Sequence, residues 1–264
     1  MMRQDRFILI ICFLAGLLLL PGRSSAEYNP VTSKDEPVYI SPEQEAEMGA
    51  SYAKQIEQHY KPCRDKHLQE RVELIGNRLA QYADRKGVIY HFKVIDIDDI
   101  NAVSLPGGWV YVFKGLIDVC KNDDELAGVI AHEIGHIAAR HHMKKLQQSS
   151  LANLGLILVA ATQGGNAASA TNLAINSMMA AYSREDEFEA DKRAVIYTRK
   201  AGYDPRGIVT FMETMKNEDK LKIRTYSYFK THPYVGERMG KVESEIEGRM
   251  SFRERINMPL DKKW

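Results

Sequence analysis

The sequence predicts an α+β fold, mostly helical, with a small sheet or hairpin beside one central helix. Three observations predict it. Apolar residues recur at helical spacing over most of the chain, the pattern switches to two-residue alternation between Val88 and Phe113, and Gly or Pro punctuates the changes. With 264 residues, 44% apolar and 27% charged, the chain is long enough to bury its own core.

At the start, Met1 to Arg6 is basic, Phe7 to Leu20 is an almost unbroken apolar run, and Pro21-Gly22 breaks it ahead of Ser24-Ser25-Ala26. This is the layout of a secretory signal peptide over residues 1–26, with cleavage expected after Ala26. The apolar run is short of the roughly 20 residues that span a bilayer. Cys12 follows Ile11 inside that run, where lipid attachment needs a small residue, so none is expected there. Removing 1–26 leaves 33 basic and 34 acidic residues, a charge of −1, and two cysteines. Those two, Cys63 and Cys120, could join in an oxidising compartment.

Residues 27–40 are polar and Pro-bearing, and read as an extended arm. Ser41-Pro42 with Glu43 and Glu45 starts a helix that should run to about Tyr60, since serine caps, proline suits the first turn and acids complement the dipole. A second helix, from about Lys66 to Ala83, carries Leu68, Val72, Ile75, Leu79 and Tyr82 on one face. Val88 to Ile97 alternates as a strand. Residues 101–108 read as a turn, and Trp109 to Phe113 as a second strand, which together predict a hairpin-based sheet. Asn122 with Glu125 three residues on opens the helix that holds the apolar run Leu126 to Ala139.

Leu151 to Thr162 is apolar but too short to cross a membrane, and reads as a buried helix or a flap followed by the Gly164-Gly165 break. Ser177 to Ala201 reads as a long helix stopped by Gly202. Asp204-Pro205 restarts one, and Thr231-His232-Pro233 introduces the last. A formal charge of +1 with no basic run excludes a nucleic-acid partner.

The chemistry concentrates in Ala131-His132-Glu133-Ile134-Gly135-His136. On a helix, positions i and i+4 share a face, so both imidazoles can converge on one metal ion. Glu133 beside them can reach a water on that ion's open position as a general base. A catalytic zinc wants a third protein ligand, and Ser183-Arg184-Glu185-Asp186-Glu187-Phe188-Glu189-Ala190-Asp191 offers Glu185, Glu187 and Glu189, among which composition does not choose. Asp191, one turn beyond Glu187, would support a ligand imidazole from outside, and that coupling favours Glu187.

These segments resemble family 48 of the metallopeptidases. The resemblance rests on Asn101-Ala102 leading to Pro106-Gly107-Gly108, then His132-Glu133-x-x-His136, Ser183-Arg184-x-x-Glu187-x-x-Ala190-Asp191 and Thr231-His232-Pro233. It covers roughly residues 40 to 250. The family includes BepA-like, LoiP-like, Oma-type and HtpX-like proteases. The chain lacks the tetratricopeptide repeats of the first and the membrane helices of the last, so a short soluble LoiP-like member fits best.

The resemblance implies a compact gluzincin fold with one zinc held by His132, His136 and Glu187. The domain layout is then 41–250 for the peptidase and 251–264 for a tail. It also implies an endopeptidase with misfolded or unassembled envelope proteins as substrates; with the expected leader it would be exported and periplasmic, and the apolar Leu151 to Thr162 could dock it peripherally on a membrane. His232 is expected near the metal, at the oxyanion or latching the open position. The strand through Gly107, Gly108, Trp109 and Val110 is expected to offer its edge to substrate. Arg184 and Arg238 could serve as oxyanion partners but read rather as structural ion-pair residues, and His141 and His142 read as non-ligands off the metal-facing row. The alternative function is a latched or inactive relative acting as a chaperone-like binding module.

Overall fold

The computed structural model of the protein describes residues 25–29, 31, 34–38, 40–146, 180–221 and 227–248. The apolar stretch 151–162, residues 1–24 of the expected leader and the expected tail 251–264 lie outside these.

Strands β1 (Ser25–Asn29) and β2 (Lys34–Val38) form an antiparallel hairpin where the sequence predicts an extended arm. Helix α1 (Pro42–His59) begins as predicted: the Ser41 hydroxyl accepts from the Gln44 amide, and the Gln44 side chain accepts from the Ser41 amide. Two orphan donors are thereby satisfied. Helix α2 (Lys66–Ala80) is capped by Asp65 and buries Val72, Ile75 and Leu79. Tyr82 lies past its end and is exposed.

The sheet departs from a simple hairpin. Its order is β3 (His91–Ile95), β5 (Trp109–Phe113), β4 (Ala102–Leu105), with β3 and β5 parallel and β4 antiparallel to β5. The predicted turn at 101–108 thus contains β4, which closes on β5 through a tight turn at Pro106–Gly108. This corrects the expected substrate strand. Trp109 and Val110 lie in the central strand, with both backbone edges already paired. Gly107, at φ 72°, packs on Ala46, and Gly108 packs on the Ile89 carbonyl. The edge strand on this side is β4, which places Ser104 there.

After the short helix α3 (Lys114–Val119) comes α4 (Asp123–Ala138), opened by Asn122, whose side chain accepts from the Glu125 amide at 2.9 Å. Every residue from Glu125 to Ala138 is buried. The helix is enclosed by α2, the sheet, α5 (Arg184–Ala201) and α6 (Gly207–Leu221). Glycine allows close approaches: Gly128 meets the backbone of Ile208, and Gly135 that of Ala190.

Helix α5 starts later than predicted, at Arg184 instead of Ser177. Ser183 and Asp186 form a reciprocal capping box there, and residues 180–183 are not helical. Gly202, at φ 78°, ends it as predicted. The short α7 (Tyr228–Thr231) and α8 (Val235–Ile246) follow.

Past α4, Arg140 adopts a left-handed φ of 57° before a further helical segment at 141–146. Its guanidinium is 3.0 Å from the buried Glu45, which also pairs with Arg85 at 2.8 Å. Cys63 and Cys120 are both free thiols. Among the described residues no helix is long and apolar enough to cross a membrane.

Candidate metal centre

Helix α4 presents His132 and His136 one turn apart, with their Nε2 atoms 3.0 Å from each other. Helix α5 crosses it at Gly135 and Ala190 and brings Glu187 in from the side. The Glu187 oxygens lie 3.5 Å from His132 Nε2 and 3.5 Å from His136 Nε2. His232, at the end of α7, turns its Nδ1 into the same point, 3.2 Å from His132 Nε2 and 3.1 Å from Glu187 Oε1. All four side chains are buried.

These residues fit a zinc ion. Three imidazole nitrogens and a carboxylate are its preferred donors, and ligand atoms about 2.0–2.1 Å from a tetrahedral zinc stand about 3.3 Å apart. The observed separations, from 3.0 to 3.5 Å, bracket that spacing. Glu187 Oε2 accepts no hydrogen bond although buried; Arg238 Nη1 stands 2.8 Å from it and His132 Nε2 3.5 Å. Of the other candidate acids, Glu185 is exposed to solvent and Glu189 turns to His141.

The surroundings fix these candidate ligands. His132 Nδ1 donates to Asp191 at 2.8 Å, which keeps its Nε2 free as a donor atom to metal. Burial and the nearby Arg238 disfavour a proton on His132, but the Asp191 and Glu187 carboxylates together outweigh them and lift it to about 9. A metal at Nε2 competes with that proton. His136 moves the opposite way, well below the usual histidine range, chiefly through burial. Burial alone would raise Glu187, yet the neighbouring Arg238 and histidines hold it well below the usual carboxylate range.

Arg238 matters more than its reading as a structural residue conveys. It is fully buried, donates to both Asp191 oxygens at 2.8 Å, and donates to the His232 carbonyl at 3.3 Å. One guanidinium therefore ties the outer partner of His132, the carboxylate of Glu187 and the loop of His232 together. No motif spacing reveals this from the sequence. Arg184 is as expected, exposed and paired with Glu237.

Glu133 is buried beside the cluster. The Ser104 hydroxyl donates to its Oε2 at 2.6 Å, and His232 Nε2 is 3.3 Å from its Oε1. Behind Ser104, His142 Nε2 stands 3.2 Å from the hydroxyl and 2.9 Å from the Tyr182 phenol. Tyr182 in turn stacks on the His136 ring. Ser104 and Tyr182 are site residues that the sequence reading missed, the first because its segment reads as a turn.

Comparison with known proteins agrees with this geometry. The profile of peptidase family M48 matches residues 66–246. The chain is 31% identical over 206 residues to the beta-barrel assembly-enhancing protease of Escherichia coli (strain K12), covering 74% of this chain and 42% of that relative. It thus spans less than half of that relative's length. Two shorter proteins of the same organism are also similar. Metalloprotease YcaL is 32% identical over 65% of this chain and 70% of its own length, and metalloprotease LoiP is 32% identical over 67% and 70%. With the family profile spanning every residue of the cluster, the chain belongs to peptidase family M48.

Proposed function

We propose that the chain is a zinc-dependent endopeptidase of the cell envelope that cleaves misfolded or unassembled proteins. The observation that carries this reading is the convergence of His132, His136 and Glu187 on one point, with Glu133 buried beside it. The beta-barrel assembly-enhancing protease, by its name, supports the envelope setting.

His132, His136 and Glu187 would hold the metal. When bound, zinc supplies Lewis acidity that polarises the scissile carbonyl and acidifies a water. Glu133 takes that water's proton and returns one to the leaving amine. The Ser104 hydroxyl, committed to Oε2, leaves Oε1 of Glu133 for this traffic. Asp191 and Arg238 hold His132 and Glu187 at fixed angle and charge. An extended substrate would pair with the β4 edge, next to Ser104 and so next to Glu133, once what buries all four β4 residues gives way, an arrangement that accepts many sequences.

His232 supports a second reading, that of a latched form. Its Nδ1 stands among the ligand atoms, 3.2 Å from His132 Nε2, where a fourth ligand would close the position a water needs. A substrate carbonyl would then have to displace the imidazole. The latched or chaperone-like alternative is this same geometry without release.

The experiment is cleavage of unfolded casein by the exported protein. The expected result is cleavage that phenanthroline abolishes and that Glu133→Gln loses while keeping its zinc. Cleavage by Glu133→Gln at the wild-type rate refutes the role of the carboxylate. Zinc binding without any cleavage favours the latched form.

A further inference from the structure

Among the described residues a second grouping of metal-ligand type lies near the first. It consists of His141, Asp186 and Glu189, whose donor atoms stand within 4.8 Å of one another. The chemistry of His136 decides what it does. If His136 gives Nε2 to the metal, as the proposed function has it, its proton must sit on Nδ1. The atom 2.7 Å from that Nδ1 is the Nδ1 of His141.

A protonated nitrogen needs an acceptor at that distance, so His141 Nδ1 must be bare and its own proton must sit on Nε2. That N–H finds two carboxylates, Glu189 Oε2 at 3.0 Å and Asp186 Oδ1 at 3.3 Å. A cation on His141 Nε2 would expel this proton and force one onto Nδ1, directly against the Nδ1 proton of His136. The grouping and a metal-bound His136 therefore exclude each other as two metal sites. They are compatible as one chain of hydrogen bonds.

We infer that His141 is a positioning residue of the metal centre, accepting from His136 Nδ1 and donating to Glu189 and Asp186, so that the His136 ring is held with Nε2 towards the metal. Helix α5 then supplies more than the third ligand. Asp191 supports His132 directly, and Asp186 with Glu189 supports His136 through His141. The left-handed turn at Arg140 makes this possible: it breaks the helical row after α4 and swings His141 back onto His136.

The test is zinc affinity of the metal-stripped full chain, by competition with a chromophoric chelator. His141→Ala is expected to weaken zinc by about 10- to 100-fold, the usual loss for a removed outer partner of a metal-bound histidine. His141→Asn places an amide oxygen near the position of Nδ1 and is expected to recover most of that loss. Wild-type affinity in His141→Ala, or an asparagine variant no better than the alanine one, overturns the inference. If the alanine variant does not fold, the imidazole nitrogen spectrum of the zinc-loaded wild type decides, with His141 assigned from the asparagine variant. A proton on Nε2 alone is expected, and one on Nδ1 overturns it. His136→Ala separates the two levels: full zinc affinity there refutes the ligand assignment itself, whereas loss there with none in His141→Ala refutes only the positioning role.

Discussion

Gly135 lies between the two imidazoles on α4, against Ala190 on α5, and a methyl group at this one position should loosen the metal. A Cβ at 135 would stand 2.9 Å from the Ala190 carbonyl oxygen and 3.0 Å from its Cα, where ordinary contact begins at 3.4 Å. The obstacle is backbone on a packed helix, so α4 and α5 must part by roughly half an ångström. Metal–ligand distances tolerate only about 0.2 Å. Glu187 rides on α5 while both histidines ride on α4, so the displacement falls on the ligand set.

Gly135→Ala is therefore expected to cost about 1–3 kcal/mol of stability through overpacking, and to weaken zinc further than that stability loss explains. Gly128→Ala is the matched control. It sits on the same helix, with the Ile208 backbone nitrogen 2.7 Å from the added carbon, but it faces α6, which carries no ligand. It should lose comparable stability in urea and keep its zinc affinity in chelator competition. A folded Gly135→Ala that binds zinc as tightly as Gly128→Ala would refute the claim that this helix spacing sets the centre.

Two further outcomes follow from buried charge. Arg238→Met leaves Asp191 and Glu187 buried without their shared cation, and should destabilise the metal-free protein by about 3–5 kcal/mol in urea unfolding; a loss under about 1 kcal/mol contradicts the pairing. Glu45→Gln removes the charge that Arg85 and Arg140 share, and because both arginines keep some contact with water a smaller loss, about 2–3 kcal/mol, is expected from the same measurement.

The sequence made the centre legible where spacing within one helix suffices. His132 and His136 need only the helical period, and Glu187 with Asp191 needs one more helix with the same period. What it concealed depends on chain reversals and distant pairings. Ser104 is 29 residues from Glu133 and hidden in a segment whose Asn, Pro and Gly content signals a turn, although its four apolar or small residues 102–105 pair as a strand. Val110 has the alternation of a strand, but alternation does not say whether a strand lies at the edge or the centre of a sheet. His141 falls off the metal-facing row only if the helix continues, and the left-handed Arg140 ends it. Arg238 meets His132 and Asp191 across 106 and 47 residues, with no local pattern to announce it. The helix expected from Ser177 gives way to one from Arg184 because the Ser183–Asp186 capping box is a stronger start than the apolar pattern before it.

Helix α4 has no face in water along the whole stretch from Glu125 to Ala138. A helix of this kind cannot fray or open by itself, because each of its sides is the floor of another element. Its backbone amides are expected to exchange among the slowest of the described residues, chiefly when the domain as a whole comes apart. The two imidazoles are thus anchored on the fully buried helix, while Glu187 and His232 arrive on elements with exposed faces of their own. A candidate metal centre built this way is expected to keep its paired histidines in place through partial openings, and to leave adjustment to Glu187 and His232, which approach from the side.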